Sequence, residues 1–447
     1  MHHTKTIFKE ALKVKGMMKF LSALLLVLSF TFVSAQKKIT YFEHIAPIIQ
    51  ERCAPCHRPG TAAPFSLLTY EDAAKRAKMI GRVTSARYMP PWKADHLYRS
   101  FANEKRLTED EIEKIKQWVA DDAPRGKEAK SGKVRETNIA ASHGKAADAI
   151  LRVHKPFIVA GDLKENFTLS VIPFDFDREP SVESIEYISD NLKLIHHANF
   201  GIYAVDPSID ISGDTVSINA NDLSDYATRL TQLTQNLVYY NGWVPGSTPI
   251  TFSKGLGFKL PKHGVIVLTN HYAPSPVQKT ERSSLQFYFS KTAVERTVNT
   301  LSIGSVGAGE ITPSLMIFPN EVKTFHIRME IVEPLSLLYV WPHMHLIGKK
   351  FTAYYSTAAH DTVPLVRIND WDFNWQEAYK FKKLMKIPKG AVLTVEGIYD
   401  NTAQNPHNPN SPPMIVFSDG LMGTKNEMLS LILVYLPYKE GDENLDL

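Results

Sequence analysis

Two sets of residues in this 447-residue chain have the types and spacing to do chemistry. The first is Cys53-Ala-Pro-Cys56-His57, which holds the only two cysteines of the sequence. The second is a series of metal-ligand types farther on: the adjacent pair His196-His197, His271 in Asn270-His271-Tyr272, His343-Met344-His345, and Met428. In an exported chain a single C-x-x-C-H reads as a c-type haem attachment site. Two thioethers fix the porphyrin and the adjacent imidazole takes the iron. The competing readings are a disulfide or half of a zinc site, but zinc would want a second ligand pair and no further cysteine exists to supply it. Histidine with a thioether is a copper preference, and three histidines form a second, harder site on the same chain. Taken singly, a histidine pair is more often a hydrogen-bonded surface feature and Met428 would be core packing. It is the combination that points to metal.

The elements around these residues must position them. Residues two apart on a strand share a face, so His343 and His345 can hold one metal without distortion. Adjacent residues face opposite ways, so His196 and His197 need a bulge or a strand end to converge. Around the cysteines, Phe42, Ile45, Ile48 and Ile49 recur at helical spacing and place Cys53 at the end of a short amphipathic helix. Thr108 with Glu111 makes a capping box, and Ile112, Ile115, Trp118 and Val119 form one apolar face of a closing helix that ends before Ala123-Pro124. This arrangement resembles the cytochrome c fold over residues 36–126. A six-coordinate haem needs a second axial ligand, and Met89, in Tyr88-Met89-Pro90-Pro91-Trp92, offers one where two prolines hold the chain out of a helix. Met79, in the helical run Ala73–Val83, and His96 are the competing candidates.

The chain starts with a targeting pattern. Lys19 precedes an apolar run, Phe20 to Phe32, and Val33-Ser34-Ala35 follows as a small-residue cleavage site ahead of Gln36. Met17 and Met18 sit directly before this pattern and offer a later start. The expectation is a leader with signal peptide over residues 1–35 and an exported protein, periplasmic or secreted, with no membrane span in the mature chain. Residues 1–35 carry five lysines and one glutamate, so their removal turns 51 basic and 47 acidic residues into 46 of each. A balance near zero argues against nucleic acid as partner.

Residues 127–150 are polar, alanine-rich and without a clear period and read as a linker that runs to 154, with partial helix as the alternative. Beyond them short apolar runs are broken by Pro, Gly, Asn and Asp, as in Gly264–Thr269, Leu335–Val340 and Leu429–Val434. Many closely spaced strands predict β-sandwich architecture, and nearly 300 residues predict two such units, at 155–290 and 291–447. The fold class expected is thus a small all-α cytochrome c domain followed by an all-β region of two β-sandwich, jelly-roll-like subdomains.

The order His-His, His-Tyr, His-x-His, Glu-Met along this region resembles the copper type II, ascorbate-dependent monooxygenases, the family of peptidylglycine α-hydroxylating monooxygenase and dopamine β-monooxygenase. The resemblance covers about residues 155–447. It implies two coppers: an electron-transfer copper on His196, His197 and His271, and an oxygen-activating copper on His343, His345 and Met428. Trp243-Val-Pro-Gly246 and Tyr399-Asp-Asn401 also resemble segments of bacterial members and are assigned a structural role first. The other histidines, His154, His263, His326 and His360, sit singly and read as structural or exposed; His407 lies in a turn-rich loop. Two departures matter. The peptide-processing enzymes carry a carboxylate-binding arginine two residues before His-x-His, where this chain has Trp341, so a peptide carboxylate is not indicated as substrate. Animal members are also stabilised by disulfides, which this chain cannot form beyond its haem cysteines.

The resemblance then implies hydroxylation of a C–H bond of an organic substrate with O2. Two electrons would arrive one at a time through one covalent haem c from an external electron donor. The alternative from another class is a non-catalytic haem and copper electron-transfer or copper-binding protein.

Overall fold

The computed structural model describes residues 38–445 apart from 62, 129–144, 165, 221–222, 224, 254, 306, 360 and 419–425. The expected leader, the middle of the expected linker and His360 lie outside the described residues.

The chain first forms helices. Tyr41–Ile45, Ala46–Ile48 and Ile49–Cys53 run on from one another, the outer two at the wider π pitch, and together make α1. They are followed by α2 (Tyr70–Ala74), α3 (Ala77–Ser85) and α4 (Glu109–Ala120). Ile45, Ile48 and Ile49 of α1, Ile80 of α3 and Ile112, Ile115 and Trp118 of α4 close a small core. The capping box at Thr108 and Glu111 is present in both directions, which satisfies two of the orphan N–H groups at the start of α4.

The remainder is mostly β-sheet. Eight strands position the residues of interest: β1 (Asn166–Asp175), β2 (Ile195–Ala204), β3 (Asn236–Trp243), β4 (His263–Tyr272), β5 (Leu335–His343), β6 (Tyr379–Ile387), β7 (Val392–Asp400) and β8 (Ser430–Pro437). The three apolar runs singled out above lie on β4, β5 and β8. One antiparallel sheet has the order Ser217–Asn219, β1, β4, β2, β3. Together with a sheet centred on Ser181–Ser189 and Ser283–Phe289 it buries Ile172, Phe200, Ile202, Ile266, Leu268, Leu285 and Phe287. A second pair of sheets, Asn299–Gly304, β8, β5, β6 and Ile311–Thr312, Val322–Glu330, β7, Gly348–Ser356, Thr362–Ile368, encloses another core around Leu337, Val340, Phe351, Val395 and Leu431.

Every residue of β5 is buried. Leu335, Leu337 and Val340 face one core, Leu338 and Tyr339 the other, and a register shift between Leu337 and Tyr339 turns the strand between them. A strand covered on both faces reads as a continuous apolar run rather than an alternation. That is why Leu335–Val340 carries no period of two.

Two boundaries differ from the sequence reading. Ala149–Arg152, inside the expected linker, is a strand paired with Phe287–Ser284, because Ala149 and Leu151 pack against the neighbouring core. Residues 92–103, between the Met89 region and α4, pack on the β structure: Ala94 and Phe101 are buried in the second β core and Trp92 packs edge-on to Tyr379 of β6. Asp95 N–H bonds Arg367 O at 2.7 Å, Ala102 N–H bonds Lys380 O at 2.8 Å, and Asn103 exchanges side-chain bonds with Ala378 O and Lys380 N–H. Helices and sheets are therefore stitched together along residues 92–105.

Candidate metal centre

His196 and His197 meet His271 through a β-bulge. In the β2–β4 ladder Tyr272 pairs with Ile195 and His271 with His197, which leaves His196 as the extra residue. The bulge re-aims the side chain that strict alternation would send away. The His271 ring centroid then lies 4.8 Å from that of His196 and 5.0 Å from that of His197. On the other ladder His343 ends β5, Met344 turns into the core, and His345 returns to the same side. The two histidine rings stand edge-to-face at 5.1 Å.

The tertiary structure regroups these residues. His197, His271, His343 and His345 together line one buried hollow of about 30 Å3, closed by Phe167 and Phe373. A hollow of that size has room for about one water or one ion. Phe167 stacks on His271 at 4.1 Å, and Phe373 stands 5.1 Å from His197 and 5.7 Å from His345. His196 lines a different, much larger cavity. Gln376 spans the two histidine sets. Its side-chain oxygen accepts from His343 Nδ1, and its amide nitrogen lies 3.2 Å from His197 Nε2 and donates to Phe373 O.

Burial sets the protonation of these imidazoles. It pushes His271 down to about 2, His343 to about 3 and His345 to about 4, and takes His197 well below its ordinary value with His271 and His343 adding to the effect. All four are neutral at pH 7, the form that ligates a metal. His345 donates from Nδ1 to Asn426 O at 2.7 Å, leaving Nε2 as its lone-pair nitrogen. The bond to Gln376 does the same for His343, whose Nε2 is buried without a hydrogen-bond partner. His197 Nδ1 is buried and unpartnered as well. Orphaned ring nitrogens around an ion-sized hollow fit a metal. As the side chains stand, no group of three or more His, Cys, Asp or Glu residues among the described ones is drawn in tightly enough to hold an ion.

Met428 is buried and lines neither cavity. The β5–β8 ladder ends at the pair His343–Ser430, two residues short of His345 on one side and of Met428 on the other. Two residues fix this junction. Tyr399 donates its hydroxyl to Met428 O at 2.7 Å, and the Glu427 carboxylate accepts the N–H groups of His345 and Ile347, each at 2.8 Å. Burial pushes Glu427 up to about 8 despite those N–H groups. Asn401, next in the Tyr399-Asp-Asn401 segment, bonds Ile317 O, Phe318 O and Met414 O, a structural task. Gln376, Phe373 and Phe167 carry no motif in the sequence, and Glu427 is marked there only as the Glu of Glu427-Met428.

The large cavity, about 1160 Å3, lies between the helices and the sheets. Cys53, Cys56, His57, Met79 and Met89 line one side; His196, Gly246, Trp341, Trp375 and Gln376 line the other. His96 is not among its walls. Cys53 and Cys56 are free thiols, and burial pushes Cys53 up to about 12 and raises Cys56. His57 donates from Nδ1 to Phe65 O at 3.1 Å, which leaves Nε2 as its lone-pair nitrogen. Trp341 packs on Tyr240 with its indole nitrogen buried and unpartnered. His263 is paired with Asp175 at 2.6 Å and His326 lies 3.5 Å from Glu396.

No helix among the described residues is long and apolar enough to cross a membrane. No curated protein matches the chain. Among solved structures, PNGF-II is 8% identical, over 64% of this chain and 65% of that one, at a TM-score of 0.28. The exported protein XepA of PBSX is 8% identical, over 56% of this chain and 86% of that one, at 0.15. The chain thus spans about 65% of the length of PNGF-II, and likenesses this low carry no argument. Residues 309–409, which hold His343, His345, Phe373, Gln376 and Tyr399 and stop short of Met428, match the family of the copper type II ascorbate-dependent monooxygenase C-terminal domain, so at the family level this part of the chain is similar to copper-dependent monooxygenases.

Proposed function

We propose that this protein is an exported copper-dependent monooxygenase that hydroxylates a C–H bond of an organic substrate with O2. Electrons from an external donor pass through a c-type haem held by Cys53, Cys56 and His57, with Met89 as distal ligand. The observation that carries the reading is the buried hollow lined by His197, His271, His343 and His345, of which His343 and His345 lie in the stretch, residues 309–409, that matches the monooxygenase C-terminal domain.

His196, His197 and His271 are assigned to one copper and His343, His345 and Met428 to the other; the one-ion hollow lies where the two sets meet, and Met428 is not on its wall. When bound, copper supplies the activation of O2, and haem supplies one electron at a time; the balance is R–H + O2 + 2 e⁻ + 2 H⁺ → R–OH + H2O. The chain's own residues do the rest. Gln376 and Asn426 O hold the Nδ1 protons of His343 and His345, so that each presents Nε2 to the hollow. Phe167 and Phe373 give it apolar walls. Trp341 replaces a cationic clamp with an apolar wall carrying a single N–H donor, which favours a substrate without a carboxylate at that point.

The test is copper and haem content per chain in protein matured in an exporting host, followed by Met428→Ala. Two coppers per haem, and loss of hydroxylation with an unchanged haem spectrum in the variant, are expected. Retained hydroxylation in Met428→Ala overturns the second copper assignment.

A further inference from the structure

The haem motif and the β sheets share one cavity, and that sharing has a consequence for how a haem would be held. On the helical side are Cys53, Cys56, His57 and Met89; on the sheet side are Val244, Pro245 and Gly246 of the loop that follows β3, and His196, turned into this space by its bulge. Gly246 has φ +83 and sits so close to Cys56 that a Cβ there would run into Cys56 Sγ. Only glycine takes that backbone at no cost and leaves room for the sulfur. A volume of about 1160 Å3 exceeds the roughly 300–1,000 Å3 of sites for drug-sized ligands, and the described residues leave it empty of side chains.

The two walls are fixed relative to each other. Lys105, on the strap that leads from the Met89 region to α4, pairs with Glu377 at 2.6 Å at the cavity edge. Lys93 pairs with Asp370 at 3.1 Å, and Arg367 and Asn369 both bond Asp95. With Phe101 and Ala94 buried in the β core, the strap cannot lift without opening that core.

We propose that the haem crevice is bipartite: the helices supply the attachment and axial residues, and the β sheets supply the opposite wall, with Gly246 receiving the Cys56 thioether edge and His196 facing the ring. The inference rests on the reading of Cys53, Cys56 and His57 as a haem site and adds the second wall to it. In this arrangement the chain's own β residues set how dry the haem is, and therefore its potential. They also bring the ring to the same wall as a histidine of the three-histidine set.

The experiment uses the full haem-loaded chain and three variants: Gly246→Leu, which fills the cradle beside Cys56; Lys105→Glu, which reverses the charge at the cavity edge without touching the cradle; and Lys116→Ala, an exposed control on α4. The readouts are covalent haem content, visible dichroism of the haem band and midpoint potential. Expected are full covalent haem in the control, and in Gly246→Leu and Lys105→Glu a changed haem dichroism with a lower midpoint potential as water reaches the ring. Should Gly246→Leu fail to fold, Lys105→Glu carries the test. Haem attached in every variant with dichroism and potential equal to the parent overturns the bipartite crevice while leaving the haem reading standing. A parent chain that takes up no haem overturns the haem reading itself.

Discussion

The carboxylate of Glu427 accepts the backbone N–H of His345 at 2.8 Å, across 82 positions of sequence. The same carboxylate takes the N–H of Ile347, also at 2.8 Å, so a loop that leaves β5 is pinned to the residue before Met428. Glu427→Ala strands the buried N–H groups of His345 and Ile347 and also frees the longer bond from Met428 N–H at 3.3 Å. At about 1–3 kcal/mol for each of the first two, we expect a loss of roughly 2–6 kcal/mol of stability in denaturant titration and a clear drop in copper affinity. Glu427→Gln, which keeps an acceptor, should recover part of both. Equal stability of the Ala variant and the parent would remove Glu427 from this role.

Gln376 joins His343 to His197, so its effect should be on tautomer before it is on stability. In the metal-free protein, ring 15N spectra should report His343 protonated at Nδ1. Gln376→Leu should release that preference and weaken copper binding by about 10–100-fold, the usual effect of losing a partner that orients a ligand. Unchanged tautomer and affinity would show that the bridge is incidental.

Acid stability should depend on Asp442, which is 3% exposed. Burial alone would raise its pKa, but Arg296, the Lys439 N–H and Ser336 hold it down to about 2 from an ordinary 3.8. A depressed carboxylate stabilises the fold above its unfolded value, and the contribution is lost as pH falls through the folded one. The window therefore runs from about pH 4 down to about pH 2, and the linkage is worth about 2 kcal/mol. Asp442→Asn should be less stable at neutral pH by about that amount and lose this acid dependence, measured by urea unfolding at stepped pH. A parallel pH profile in the variant would rule the linkage out.

The strap should make the helices and sheets unfold as one cooperative unit. Phe101 lies between α3 and α4 in sequence yet is buried in the second β core, so Phe101→Ala should cost about 3–5 kcal/mol and lower the unfolding of both parts together. Two separated transitions, with only the helical signal shifted, would contradict this coupling.

What the residues alone determined was local. The C-x-x-C-H run, the capping box at Thr108 and Glu111, the apolar runs that became β4, β5 and β8, and the need for a bulge at His196-His197 are all written in adjacency and period, and each is in place. The tertiary structure decided which residues meet. Gln376, Phe373 and Glu427 enter the site from segments far along the chain, and strand register and loop packing carry no local signature. The same physics regrouped the histidines. Sequence order placed His196 with His197 and His343 with His345; the docking of two ladders also sets His197 and His343 around one hollow, while the bulge that keeps His196 beside His271 faces it to the cavity of the cysteines. Gly246, in a segment first given a structural role, gained its place against Cys56 only when the β3 loop met the helices.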